Sequence, residues 1–148
     1  MTSGPVAKAG WTDRQKELLA SARLAAKTAY CPYSKFPVGA AVLAGGEIYT
    51  GCNIENASYG LAICAERVAI FNAVSAGNRL IDMLAVTCVD VPPDNLPSAR
   101  MPCGACRQVM AEFGSRDMPV LIDEVGQLQL SDLLPEPFEF KAPPRNSS

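Results

Sequence analysis

Cys64-Ala65-Glu66 and, 39 residues after Cys64, Pro102-Cys103-Gly104-Ala105-Cys106 stand in a chain that contains no histidine. Without imidazole, general-base chemistry and metal ligation fall to other side chains. A metal site here is therefore built from thiolates and carboxylates. Cys103 and Cys106 lie one helical turn apart if their segment is helical, so their sulfurs can converge on one ion. Cys64 supplies a third sulfur, and Zn²⁺ held by three protein ligands keeps a fourth position for water. Three thiolates outweigh the charge of a divalent ion and weaken its Lewis acidity. Two helix N-termini, each carrying roughly half a positive charge, would offset this. Arg67, three residues after Cys64, would add hydrogen bonds to the thiolates. Glu66 as a fourth ligand would close the site. Beside an open position it can take a proton from water and deliver it to a ring nitrogen and a leaving amine, the chemistry of hydrolytic deamination.

Plainer readings account for fewer of these residues. A thioredoxin-like redox pair at Cys103 and Cys106 explains neither Cys64 nor Glu66. A structural zinc site closed by a fourth cysteine, with Cys31, Cys52 or Cys88 as candidates, would leave no place for water. The remaining cysteines suit core or loop positions, since a free thiol behaves as a small apolar group. Glu66 taken alone is an unremarkable acidic residue near a helix N-terminus.

The elements that must hold these groups can be read from caps, periodicity and turn residues. Thr12-Asp13-Arg14-Gln15 has the form of a capping box, and Leu18, Leu19, Ala22, Ala25, Ala26 and Ala29 recur at helical spacing, predicting a helix over 13–29. Pro32 and Pro37 impose an extended loop. Val38–Ala44 and Glu47–Ile54 read as strands of a hairpin turned by Gly45-Gly46. After a loop over 55–61, a helix is expected from Cys64 to Ala76, closed by Gly77. A buried strand follows over 83–89, then a proline-rich loop over 91–101. Pro102 suits a helix start, so a helix over 103–113 is expected, stopped by Gly114. A strand over 118–123, a short strand near Gln127-Leu128 and a turn over 131–134 complete the pattern. This order predicts an α/β sheet of mixed direction with helices on its faces, and both cysteine motifs at helix starts. Residues 1–11 read as a flexible leader, 12–140 as one catalytic domain and 141–148 as a disordered tail.

At 148 residues, 49% of them hydrophobic, the chain can build one sizeable core. The net charge of −2 without a Lys/Arg cluster disfavours a nucleic-acid partner. No apolar run reaches the ~18 residues of a membrane span, and the first ten residues lack a signal-peptide layout. A cytoplasmic setting follows as the expectation, with the six cysteines reduced.

Taken together, Cys64-Ala65-Glu66-Arg67 and Pro102-Cys103-Gly104-Ala105-Cys106-Arg107-Gln108 resemble the motifs of the small tetrameric cytidine deaminases. Residues 30–41, the stretch Gly51-Cys52-Asn53-Ile54-Glu55-Asn56-Ala57-Ser58-Tyr59-Gly60 and the segment Leu133–Phe138 resemble further parts of that family in order, so the likeness covers roughly 12–140. It implies a three-layer α/β/α sandwich around a mixed five-stranded sheet. It also implies one Zn²⁺ per subunit on Cys64, Cys103 and Cys106, with Glu66 as the catalytic acid and base. Asn53 and Glu55 match residues that bind the ribose hydroxyls, Phe36 an aromatic near the pyrimidine, and Ala65 a further substrate-binding position. Tyr59 and Phe138 match residues contributed by a neighbouring subunit, Phe138 stacking on the base. The implied activity is hydrolysis of cytidine and 2′-deoxycytidine in pyrimidine salvage by a homotetramer with shared sites. An aminopyrimidine antibiotic as substrate is a close rival, against which Asn53 and Glu55 argue for a free ribose. Polynucleotide editing is weaker, since no basic groove is apparent.

Overall fold

Thr12 and Gln15 form the capping box the sequence predicts. Gln15 N donates to Thr12 Oγ1 at 3.2 Å, and Thr12 N donates to Gln15 Oε1 at 2.8 Å. The helix they open, α1 (Asp13–Ala26), stops one turn before its apolar period does. The amides of Lys27, Thr28 and Ala29 each bond a carbonyl three residues back, and Thr28 Oγ1 takes the Ala25 carbonyl, tightening the last turn. Tyr30 then leaves to donate to Asn53 O at 3.0 Å. Sheet pairing thus ends the helix where side-chain periodicity would have continued it.

The computed structural model describes residues 10–140 except residue 93. After α1 come β1 (Val38–Ala44), β2 (Glu47–Cys52), α2 (Ala65–Ser75), β3 (Met83–Cys88), α3 (Gly104–Phe113), β4 (Pro119–Ile122), β5 (Gly126–Gln129) and the single turn α4 (Leu130–Leu133). The five strands form one sheet in the order β2-β1-β3-β4-β5. Strand β1 is antiparallel to β2 and β3, β3 is parallel to β4, and β4 is antiparallel to β5. Gly45 and Gly46, at φ +59° and +79°, make the hairpin turn that pairs Leu43 with Ile48. The tail expected over 141–148 lies outside the described residues, as does most of the leader. Trp11, at the end of that leader, is buried beside α1.

Strand alternation assigns each face its helices. Ala41, Ala85 and Leu121 face α1 with Leu18, Leu19 and Ala22. Ala40, Val42, Leu84, Val86, Val120 and Ile122 face α2 and α3, packing with Ala69, Ile70, Ala73, Cys106 and Met110. The result is the expected three-layer arrangement around a mixed five-stranded sheet. Each fully buried Val, Leu or Ile in it contributes about 1.5–3 kcal/mol. Strands β3 and β4 are buried on both sides, which is why they read as nearly continuous apolar runs.

Gly51 on β2 sets where α2 begins. A Cβ there would lie 2.6 Å from the Ala65 carbonyl oxygen and 2.8 Å from Val68 Cβ, and closer still to the Ala69 amide. Any side chain at this position would lift the first turn of α2, which carries Cys64 and Glu66 at its start, away from the sheet.

Candidate active site

Cys64 and Cys103 are the N-cap residues of α2 and α3, both with extended backbone. Neither side chain caps its own helix, so both sulfurs are available to a third party. Cys106 follows one turn into α3 and is fully buried. The three Sγ atoms lie within 4.8 Å of one another, and Cys64 Sγ is 3.7 Å from Cys103 Sγ. No fourth cysteine joins the group among the described residues. Cys52, one candidate for closing it, contacts Thr28 instead, with its Sγ 3.7 Å from Thr28 Oγ1. The open three-sulfur arrangement is the one that leaves room for water.

The route into Cys64 is held by a short latch. Ile54 and Ile63 exchange both backbone hydrogen bonds, at 3.0 and 2.9 Å. This bridge brings the Asn53–Glu55 segment alongside the start of α2. Sequence periodicity alone ran β2 through Ile54. In the fold β2 ends at Cys52, because Ile54 pairs with Ile63 rather than with β1.

Charge at the cluster is unevenly shared. The Cys64 thiol is lowered to about 5, chiefly by its hydrogen bond with Cys106 and further by Arg67 and Cys103. Arg67 Nη2 donates to Cys64 Sγ at 3.5 Å, and the thiolate in turn raises the arginine. The hydrogen bond with Cys64, then burial, holds the proton on Cys106, whose Sγ lies 3.6 Å from Glu66 Oε2. Glu66 itself is only 5% exposed. Burial, then the Cys64 charge, raises its carboxyl above the ordinary range.

A cavity of about 440 Å³ opens onto this cluster. Cys64, Ala65, Glu66 and Cys103 line one part of it, and Phe36, Asn53 and Glu55 line another. Asn53 bridges the main chain: Val38 N donates to its Oδ1 at 2.8 Å, and its Nδ2 donates to Phe36 O at 2.8 Å. An amide still has one N–H and one lone pair after two such bonds. Glu55 Oε1 accepts from the amides of Tyr33 and Ser34 at 3.0 and 3.1 Å. A hydrogen bond with the Ser34 side chain, then these amide contacts, lower its carboxyl, so it stands ionised. Within one chain, Tyr59 and Phe138 do not line the cavity; they are 81% and 73% exposed. The Tyr59 ring meets that of Tyr33 edge-on, centroids 6.5 Å apart.

Several groups at or near the cavity were given no such role by the sequence. Ser34 acts on Glu55 through its side chain and its main-chain amide, a role no spacing rule assigns to it. Cys88 lines the cavity from the end of β3, and burial pushes its thiol up to about 11, so it is a neutral wall residue. Its place at the carboxyl end of a parallel strand, where α/β proteins gather their sites, was the available signal. Gln108 exchanges two hydrogen bonds with the main chain of Phe138, at 2.9 and 3.1 Å, strapping the C-terminal segment to α3.

Residues 12–122 match the family model described as the cytidine and deoxycytidylate deaminase zinc-binding region. A cytidine deaminase of Sporosarcina psychrophila is 47% identical over 128 residues, covering 83% of this chain and 90% of the relative. A cytidine deaminase of Mycobacterium tuberculosis is 45% identical over 130 residues, covering 86% and 92%. Among solved structures, the cytidine deaminase of Burkholderia pseudomallei superposes with a TM-score of 0.74 at 41% identity, covering 86% of this chain and all of that one. With its three-sulfur cluster at the head of two helices and a match that runs from the cap of α1 to the end of β4, the chain belongs to the cytidine and deoxycytidylate deaminase zinc-binding family.

Proposed function

We propose that this chain hydrolyses cytidine and 2′-deoxycytidine to uridine and 2′-deoxyuridine with release of ammonia, a pyrimidine-salvage reaction. The observation that carries the reading is the three-cysteine cluster with buried Glu66 beside it, at one part of a cavity whose other part holds Asn53 and Glu55. Tetrahedral Zn²⁺ with Zn–S bonds of about 2.3 Å sets its sulfurs roughly 3.8 Å apart. The Cys64–Cys103 separation of 3.7 Å suits that ion. Cys64, Cys103 and Cys106 would hold it. When bound, zinc supplies Lewis acidity that makes water a nucleophile near neutral pH.

The remaining work falls to the protein. Glu66 takes a proton from the attacking water on its carboxylate and gives it to N3 of the pyrimidine. It then passes the second proton to the departing amino group, so water and the C4 amine become a C4 carbonyl and ammonia. A carboxyl raised by burial gives up and regains a proton more readily near neutral pH than an exposed one. Arg67 draws charge from the Cys64 sulfur, and the N-termini of α2 and α3 act in the same sense. Asn53, with its remaining N–H, and ionised Glu55 bind the ribose hydroxyls, and Phe36 flanks the base. Ala65, at the first position of α2, offers a helix N–H that has no intrahelical acceptor. A cavity of about 440 Å³ falls in the size range of nucleoside-scale ligands. Ammonia release, measured alongside zinc content, is expected to be fastest with the two nucleosides. Faster turnover of free cytosine or of the nucleotide would overturn the ribose assignments.

We further propose that four copies assemble with shared sites, in a cytoplasmic setting that keeps the thiols reduced. The exposure of Tyr59 and Phe138, and the Gln108 strap that fixes Phe138 to α3, support a ring presented to a neighbour. Phe138→Ala is expected to raise KM about tenfold, since base–aromatic stacking is worth ~1–3 kcal/mol, while zinc content stays the same. An unchanged KM would count against the stacking role.

A further inference from the structure

One wall of the cavity comes from the long connection between β3 and α3. Ala99 and Met101 line the cavity from it, beside Cys88 at the end of β3. The segment's described residues show few contacts that reach beyond the segment itself. Among the described residues of 89–100, only Val91 and Arg100 are buried. The main-chain hydrogen bonds of Val91, Asn95, Ala99 and Met101 are local turns that reach back three residues. Pro92 and Pro97 have no amide to donate. Cys88 and Arg100 also line a second cavity of about 280 Å³, together with Arg23, Val91 and Asp123.

Arg100 provides what the main chain lacks. It is 4% exposed, an unusual setting for a guanidinium. Its Nη1 donates to Cys88 O at 3.4 Å, and its Nη2 donates to Val91 O and, at 3.0 Å, to Pro92 O. One planar fork thus ties the end of the loop to its beginning, across 12 residues. The two residues flanking it in sequence, Ala99 and Met101, are those that face the cavity. We propose that Arg100 is a positioning residue for nucleoside binding: it pins the loop after β3 so that Ala99, Met101 and Cys88 form a fixed wall of the cavity that Asn53 and Glu55 also line. A lysine cannot replace it, since an ammonium is a point donor without the fork.

The proposal rests on the nucleoside reading of the cavity, and its test separates the two. Arg100→Lys in the zinc-loaded full chain is expected to raise KM for cytidine about tenfold, since charge-assisted hydrogen bonds to the loop are lost. Turnover at saturation stays within about twofold and zinc content is unchanged, because Glu66 and the sulfurs are untouched; a general stabilising role would not produce that split. Amide hydrogen exchange over 88–101 rises in the same variant. Arg100→Ala, which removes every donor, is expected to enlarge both effects. Unchanged KM in Arg100→Lys would overturn the proposal, and so would zinc and turnover falling together with affinity. If the unaltered chain does not turn over cytidine, the nucleoside reading fails. Hydrogen exchange then decides alone, faster exchange over 88–101 supporting the pin and unchanged exchange overturning it.

Discussion

Glu66→Gln is expected to lower turnover about 10²–10⁴-fold while one zinc ion per chain remains bound, the usual worth of a positioned acid and base. The substitution keeps the length and shape of a side chain that is 5% exposed, so packing at the start of α2 should persist. What disappears is the ability to accept a proton from water and return it to the base. Stability is not expected to fall. Burial and the neighbouring Cys64 charge both act against an ionised carboxylate here, and a neutral amide escapes both. Steady-state rates with cytidine and metal analysis on the same preparation make the comparison. Turnover within about tenfold of the unaltered chain, with zinc in place, would remove Glu66 from the proton path. Loss of zinc from the variant would instead assign the carboxylate a part in holding the ion.

The features that were legible in the sequence are those in which a local signal and a distant contact ask for the same thing. Thr12 and Gln15 predict a cap and form one. Gly45-Gly46 predicts a hairpin turn and makes it. Cys64 and Cys103 were expected where helices begin, and each stands at the N-cap position of one. The misses occur where tertiary structure overrides the local pattern. Apolar spacing carries α1 to Ala29, but pairing of Tyr30 with Asn53 and Ile54, just past the end of β2, ends the helix at Ala26. Strand character runs to Ile54, but its partner is Ile63. Arg100 stands in a loop that reads as plain proline-rich surface, because a guanidinium bonded to main-chain carbonyls has no partner residue type to announce it. Exposed Tyr59 and Phe138 illustrate a different limit. Their side chains suit a nucleoside, yet a single chain gives them none to touch.

Cys106→Ser is expected to abolish zinc retention, and with it turnover and a share of stability. Cys106 is the only fully buried member of the cluster, and the ion it would share with Cys64 and Cys103 joins the heads of α2 and α3. A serine hydroxyl is nearly the same size but does not ionise at neutral pH, so two thiolates remain for a tetrahedral ion that needs more. Zinc at a thousandfold over its dissociation constant stabilises the folded form by ~4 kcal/mol. That corresponds to a change in melting temperature on the order of 10 °C for a domain of this size. Chelation should therefore lower the melting temperature of the unaltered chain substantially and leave that of Cys106→Ser where it already stands. The paired comparison separates the metal's contribution from any packing defect, because a defect alone would leave the variant sensitive to chelator. A variant that still binds one zinc ion, or an unaltered chain whose melting temperature ignores the chelator, would contradict the proposed ligand set. In that event the closeness of the three sulfurs would reflect packing at the junction of two helices, and hydrolysis would have to be rebuilt around Glu66 without its neighbouring cation.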